Sequence, residues 1–338
     1  MPQRAVSFKG SDNKVAVRRE WDLPILTRRV GMLGHPLDYL GLPGAQIEDL
    51  RDWQDLLRFR TGIERLRPGR LEREDLEVHR QLLANAAKYK LSGRFELLRG
   101  LVEDIILNGT DRDGTRPHRS SGPSALGARF IYNVVNLDFL GGMGNVAAEG
   151  VKRVAALKKL LERQQSTDFT LLLTLNIRDQ LGEEIAVYIE DAKRRSTSMR
   201  MGEMLDWYQA QGAGHKEFRL KAVVPLFIKR FAEHYCFDCY CYPPLVYTGT
   251  GKARMVHFVF DLTATPALIH ASSHQTEEDV LDLTFFEVRD GILRVHTTQH
   301  RHCDRSQSAT QLAFLAAEVR DALLGAYTRR HWTNEEPP

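Results

Sequence analysis

Apolar positions recur at helical spacing in some stretches of the chain and run unbroken in others, and the alternation of the two predicts a layered α/β architecture. Residues 35–44 read as a short apolar strand entering the turn Gly41-Leu42-Pro43-Gly44, and 45–58 as a helix through Ile47, Leu50, Trp53, Leu56 and Leu57. A second short strand, 59–63, ends at Glu64, and Leu76, His79, Leu82, Leu83 and Ala86 align on one face of a helix over 73–89. A third strand is expected at 94–98 and a short helix at 102–107. The runs FIYNVVN (130–136) and DFTLLLTL (168–175) are apolar enough to be strands buried on both faces of a parallel sheet, with an amphipathic helix over 146–164 between them. This succession is the pattern of a doubly wound, Rossmann-like sheet.

Further on, helices are expected at 181–195, 201–210 and 218–235, the last running through Pro225. Strands at 238–247 and 254–262 flank Thr248-Gly249-Thr250-Gly251-Lys252, whose glycines favour a hairpin turn, so the sheet is expected to end in an antiparallel hairpin. A strand pair within 277–295 and a helix at 308–327 follow. The Gly-, Ser-, Pro- and Arg-rich stretch 108–129 reads as a mobile surface loop, and 1–34 as a basic arm or short helix. Three parts are therefore expected: the arm 1–34, an α/β domain 35–265 with a loop insertion at 108–129, and a C-terminal extension 266–338.

Composition narrows the class. With 338 residues, 43% of them hydrophobic, and a net charge of +3, the chain is neither disordered nor collagenous. Its longest apolar runs, 169–175 and 222–228, fall well short of the ~20 residues of a membrane span, and its N-terminus lacks the apolar core of a signal peptide. Four cysteines are too few for a disulfide scaffold, which makes a reducing cytoplasm the expected compartment and a membrane partner unexpected. Cys236, Cys239 and Cys241 could form a zinc site completed by His300, His302 or Cys303, but Cys239 and Cys241 fall on one face of an expected strand, where small buried cysteines are common, and no metal is expected.

In an open parallel sheet, ligands bind beyond the carboxyl ends of the strands. Gly41 and Gly44 allow close backbone approach and present amides at a helix start, and Glu64, one strand-helix-strand unit later, is placed to accept both hydroxyls of a ribose. Together they point to an adenosine-type ligand. The basic segments in the N-terminal arm, 112–129, 193–200 and 252–254 either converge on phosphates or form a solvated basic face.

At these residues the chain resembles the class I S-adenosylmethionine-dependent methyltransferases. Tyr39-Leu40-Gly41-Leu42-Pro43-Gly44 is similar to their first motif, Glu64 to the ribose-binding acid, Asn136-Leu137-Asp138-Phe139 to the fourth-strand motif, and the late hairpin to their antiparallel last strands. The resemblance spans 37–262 and implies S-adenosylmethionine as cofactor, held by Tyr39, Gly41, Leu42, Gly44 and Glu64, with Glu103 or Asp104 as the adenine-side acid after the third strand. Residues 133–142 resemble the Asp-Leu-Asp-Pro-Phe-Gly box of tRNA guanine-N2 methyltransferases, which implies that Asn136 or Asp138 orients a nucleophilic amino nitrogen and Phe139 packs on it. The third glycine of the first motif and the proline of the box are missing here. Two functions are expected on this ground: methyl transfer to an amino nitrogen of nucleic acid (tRNA, other RNA or DNA), or a catalytically silent subunit with a partner protein in a bacterial assembly such as a phage-defence complex. A nicotinamide-dependent oxidoreductase fits 41–64 but not the hairpin.

Overall fold

The computed structural model describes residues 12–66, 72–121, 129–139, 141–143, 152–165, 167–177, 216–249, 253–265, 275–281 and 286–295, with residues 187, 194, 202 and 206. Its strands are β1 (Leu37–Gly41), β2 (Leu57–Glu64), β3 (Phe95–Arg99), β4 (Ser120–Ser121), β5 (Arg129–Phe130), β6 (Val134–Asp138), β7 (Phe169–Asn176), β8 (Phe237–Cys241), β9 (Leu245–Thr248), β10 (Arg254–Ala264), β11 (Phe286–Arg289) and β12 (Ile292–Val295). Its helices are α1 (Asp12–Ala16), a π-helical turn (Val17–Asp22), α2 (Leu23–Leu33), α3 (Glu48–Asp52), α4 (Glu72–Lys88), α5 (Val102–Asn108), α6 (Arg153–Arg163), α7 (Lys216–His234) and α8 (Glu277–Leu281). No described helix is long and apolar enough to cross a membrane. The helices expected at 181–195, 201–210 and 308–327 lie outside the described residues.

Ten strands form one sheet in the order β12-β11-β9-β10-β7-β6-β1-β2-β3, with β8 paired to β10 beside β9. From β3 to β7 all neighbours are parallel, and β10 then runs antiparallel to β7. This is the doubly wound sheet with an antiparallel end expected from the sequence. β1 and β7 are buried along almost their whole length because helices cover both faces, which is why they read as continuous apolar runs.

Alternation along the strands divides the core in two. One face carries Leu40, Val135, Leu137, Leu171 and Leu173 against α5, α6 and α7 through Ile106, Leu160 and Phe227. The other carries Tyr39, Val134, Leu172 and Val259 against the N-terminal helices, α3 and α4 through Trp21, Ile25, Leu26, Leu50 and Leu82.

Five local expectations are revised. Residues 12–33 form a helical layer along β10, with Trp21, Ile25 and Leu26 in the core, Arg28 on Asp261 (2.9 Å) and Arg29 on the carbonyl of Leu262 (3.2 Å). The helix expected over 45–58 shrinks to α3, because Ile47 enters it in the left-handed region (φ 45°) and Leu57 already pairs with Leu37 in the sheet. The strand expected over 238–247 is split in two at Tyr242-Pro243-Pro244: prolines have no N–H to give to the ladder, and the pairing with β10 slips by one residue across the break. In 108–129, Asp111 is buried and accepts the amides of Asp113 (2.9 Å) and Thr115 (2.8 Å), while Ser120–Ser121 pairs with Arg129–Phe130 as a small hairpin. The expected strand 130–136 accordingly begins in that hairpin and joins the main sheet only at Val134.

Candidate functional site

The strand order reverses at β1, whose neighbours β2 and β6 lead the chain in opposite directions, so the switch point lies at Gly41 and its register partner Asn136. Leu42 donates its amide to the Asn136 carbonyl (3.1 Å). Any side chain at position 41 would collide here: a Cβ would lie 2.6 Å from the Asn136 carbonyl oxygen and from Tyr39 Cζ, and against the Tyr39 hydroxyl.

One rung further along, Asp138, Thr174 and His257 are partners across β6, β7 and β10. Because side chains alternate, this rung shares the face of Tyr39 and Asn136, and that is the face the N-terminal helices cover. Lys14 of α1 makes an ion pair with Asp138. One turn on, Arg18 meets Glu48 (3.0 Å), Asp49 (3.5 Å) and Asp52 (3.0 Å) of α3. One turn further, Asp22 bonds His257 Nε2 (2.9 Å), whose Nδ1 meets the Thr174 hydroxyl (2.9 Å). Asn136 donates its amide to Asp49 (2.7 Å). All of these but Tyr39, Glu48 and Asp52, with Tyr247, Trp53 and Val17, line a half-open chamber of about 20 Å³, room for one water.

The chamber is electrically charged. Burial raises the Asp49 carboxyl to about 6, against the pull of Lys14 and Arg18. Burial alone would lower the Lys14 ammonium, but Asp138 and Asp49 outweigh it and hold it above the ordinary lysine value. The phenols of Tyr39 and Tyr247 are pushed well up by burial and then by the neighbouring carboxylates, so both stay neutral. Such a site holds a cation, here the Lys14 ammonium, between Asp138 and Asp49.

Glu64 lies outside this chamber, at the end of β2 and two residues beyond Gly62, the partner of Gly41. Burial raises its carboxyl to about 7, its Oε1 accepts the Arg65 amide (3.2 Å), and it makes no ion pair among the described residues. Gly44 adopts φ 60° and its carbonyl accepts the Ile47 amide (3.2 Å), while half-buried Leu42 packs toward the opposite core. Asp104 is exposed, whereas Glu103 is buried and pairs with Arg153 (3.2 Å). Arg153 in turn holds the Gly142 carbonyl and lies 4.7 Å over the ring of Phe139, which is buried in the core on the other face of the sheet.

The structure therefore gathers Tyr39, Gly41, Asn136 and Asp138 in one place, keeps Glu64 one strand away on the same edge, and engages Glu103 and Phe139 in a separate contact. Cys239 and Cys241 are buried on β8 and Cys236 is exposed; among the described residues no group of three or more metal-ligating side chains occurs. His300, His302 and Cys303 lie outside the described residues.

Sequence reasoning missed Lys14, Arg18, Asp22, Asp49, Thr174 and His257. Two signals were present: Lys14, Arg18 and Asp22 recur every fourth residue, and Thr174 and His257 interrupt otherwise apolar strands.

No family model and no curated protein matches the chain by sequence. Solved structures similar to it include a protein of the NADB-Rossmann superfamily from Streptococcus agalactiae (9% identity, 75% of this chain and 71% of that one, TM-score 0.33). An O-methyltransferase family protein from Burkholderia thailandensis is matched at 10% identity over 75% of this chain and 58% of its own length (TM-score 0.35). An O-methyltransferase from Bacillus cereus in complex with SAH is matched at 11% over 76% and 93% (TM-score 0.35). Likenesses this distant carry no argument about activity, and the fold assignment rests on strand order and register.

Proposed function

We propose that this protein binds S-adenosylmethionine at the β1/β6 switch point and transfers its methyl group to an amino nitrogen, with nucleic acid as the acceptor. The observation that carries the reading is Glu64: a half-buried carboxylate with no ion pair among the described residues, raised to about 7, on the strand next to the obligatory glycine at the switch point. One backbone amide leaves most of its acceptor capacity unused, which suits the two hydroxyls of a ribose. The chamber as it stands holds only a water, so the residue types fit the cofactor while the space for it requires movement of the elements around it.

When bound, the cofactor's sulfonium supplies an electrophilic methyl group. The chain's own part is positioning. Gly41, Leu42 and Gly44 offer backbone that a ligand can approach, and Glu64 accepts hydrogen bonds from its hydroxyls. Asp138 accepts a hydrogen bond from the acceptor nitrogen, the role it now plays toward the Lys14 ammonium. Asn136, braced by Asp49, holds the neighbouring wall. Exposed Arg99 and Arg112, where β3 ends and the following turn folds back on it, suit phosphate contacts on the same edge of the sheet.

The test is Asp138→Ala with tRNA, rRNA and DNA as acceptors. Methyl transfer is expected to vanish while the affinity for S-adenosylhomocysteine is not weakened; equal loss of both refutes the role given to Asp138. The filled chamber favours a second reading, a silent subunit of a bacterial, possibly antiviral, assembly. It requires a stable partner chain and no transfer to any acceptor, and a single turnover on one of those nucleic acids defeats it.

A further inference from the structure

We propose that residues 12–16 are an autoinhibitory strap: they close the ligand cleft at the switch point and swing on a built-in hinge to open it. The inference rests on the reading above only in placing the ligand at this cleft. Two sets of observations carry it.

The first is what the strap occupies. Lys14 sits on Asp138, the residue assigned to the acceptor nitrogen, and its ammonium is the internal counterpart of an amine substrate. With Arg18 across α3 and Asp22 on His257, the strap reduces the cleft to about 20 Å³. The contact made by Lys14 is polar, and ahead of the hinge only Ala16 buries an apolar side chain; Val17 and Trp21 within the hinge, Trp21 against Phe286 (5.4 Å between ring centroids), and Ile25 and Leu26 after it stay in the core. The strap can therefore leave without uncovering the sheet.

The second is the hinge. Residues 12–33 are helical throughout, but Pro24 lies inside that run, where its ring would collide with the carbonyl of Glu20 in a regular α-helix. The helix answers with the π-helical turn Val17–Asp22, in which the Leu23 amide reaches back five residues to the Arg18 carbonyl. Such turns are uncommon and concentrate at functional sites. On the N-terminal side of the hinge, α1 is held by Asn13, which donates to the Thr248 carbonyl (3.1 Å) and accepts the Gly291 amide (2.9 Å).

A reversible lock tests this. The Cβ of Asp12 lies 3.9 Å from where Gly291 would carry one, the separation of a disulfide, so the double variant Asp12→Cys/Gly291→Cys fastens the strap when oxidised and frees it when reduced; at the φ of 73° of Gly291 the cysteine is strained, and cooperative unfolding of the variant is the control. Calorimetry with S-adenosylhomocysteine should show binding to the reduced protein and none to the oxidised one, with the wild-type chain under the same oxidant as control. Equal affinity in both states overturns the proposal. Hydrogen exchange of the wild-type chain supplies a readout independent of that ligand and of the variant's folding: amides of Val15 to Glu20 should exchange at least about tenfold faster than those of Val135 and Leu172. Exchange at the core rate makes the strap part of the core and overturns the proposal. Fast exchange without binding of S-adenosylhomocysteine in either redox state leaves the strap standing and refutes the cofactor instead.

Discussion

Replacing Glu64 by Gln should stabilise the protein at alkaline pH and leave it unchanged in acid. Burial raises this carboxyl from 4.5 to about 7, and the one hydrogen bond it accepts, from the Arg65 amide, does not offset the desolvation of its charge. Between those values the folded chain keeps a proton that the unfolded chain has already released. The group's contribution to stability is therefore complete below its unfolded pKa and is lost as pH rises through about 7. A shift from 4.5 to about 7 corresponds to about 3 kcal/mol, an upper bound because the side chain retains some solvent contact. Glutamine keeps the shape and one carbonyl acceptor and has nothing to ionise. Urea unfolding of both proteins across this range isolates the effect, because Asp49, raised to about 6, titrates in both and cancels in the difference. The stability of the Glu64→Gln variant minus that of the wild-type chain should be close to zero in acid, climb through neutrality and level off above pH ~8. A difference that stays flat with pH would refute the claim that this carboxylate is held at a cost, and with it the reason for assigning it a ligand.

Three further outcomes follow from the same contacts. Gly41→Ala should cost at least about 3 kcal/mol in urea unfolding, because the obstacle is the backbone carbonyl of Asn136 as well as a buried ring, and a loss under about 1 kcal/mol would show that β1 and β6 are not so closely opposed. Glu103→Ala leaves the half-buried Arg153 without its carboxylate beside Phe139 and should cost about 1 to 3 kcal/mol in the same assay; a neutral result would mean that the pair is solvated. Asp22→Ala removes the acceptor of a buried His257 nitrogen and should cost about 1 to 3 kcal/mol, with the His257 ring resonances moving in NMR spectra; unmoved resonances would refute the contact.

The sheet was legible where its physics is local. Phe169–Asn176 is buried on both faces and needs nothing but its apolar run to be recognised, and Gly41 ends β1 at a turn that glycine marks. Helix α4 shows its inner face as Asp75, His79, Leu82 and Ala86, close to helical spacing, even though two of those four residues are polar. The errors came where a distant partner decides the outcome. Leu57 fits the stripe of a longer helix, but pairing with Leu37 draws it into β2. The N-terminal stretch looks irregular because its face is mixed, with Trp21 and Ile25 in the core and Arg18 and Asp22 on buried polar groups.

The candidate site divides in the same way. Gly41, Glu64, Asn136 and Asp138 stand at strand ends, where topology alone suggests a ligand. Lys14 and Asp22 acquire their roles only through partners 124 and 235 residues away, a relation that no spacing rule reads from one chain.

The central claim is that the switch point binds S-adenosylmethionine through Glu64, and calorimetric titration of the full chain with S-adenosylhomocysteine at alkaline pH tests it most directly. Saturable binding of one ligand per chain is expected, weakened at least about tenfold in Glu64→Gln, the worth of one charged hydrogen-bond acceptor. Absence of binding to a chain that still unfolds cooperatively, or equal affinity in the two proteins, would contradict it.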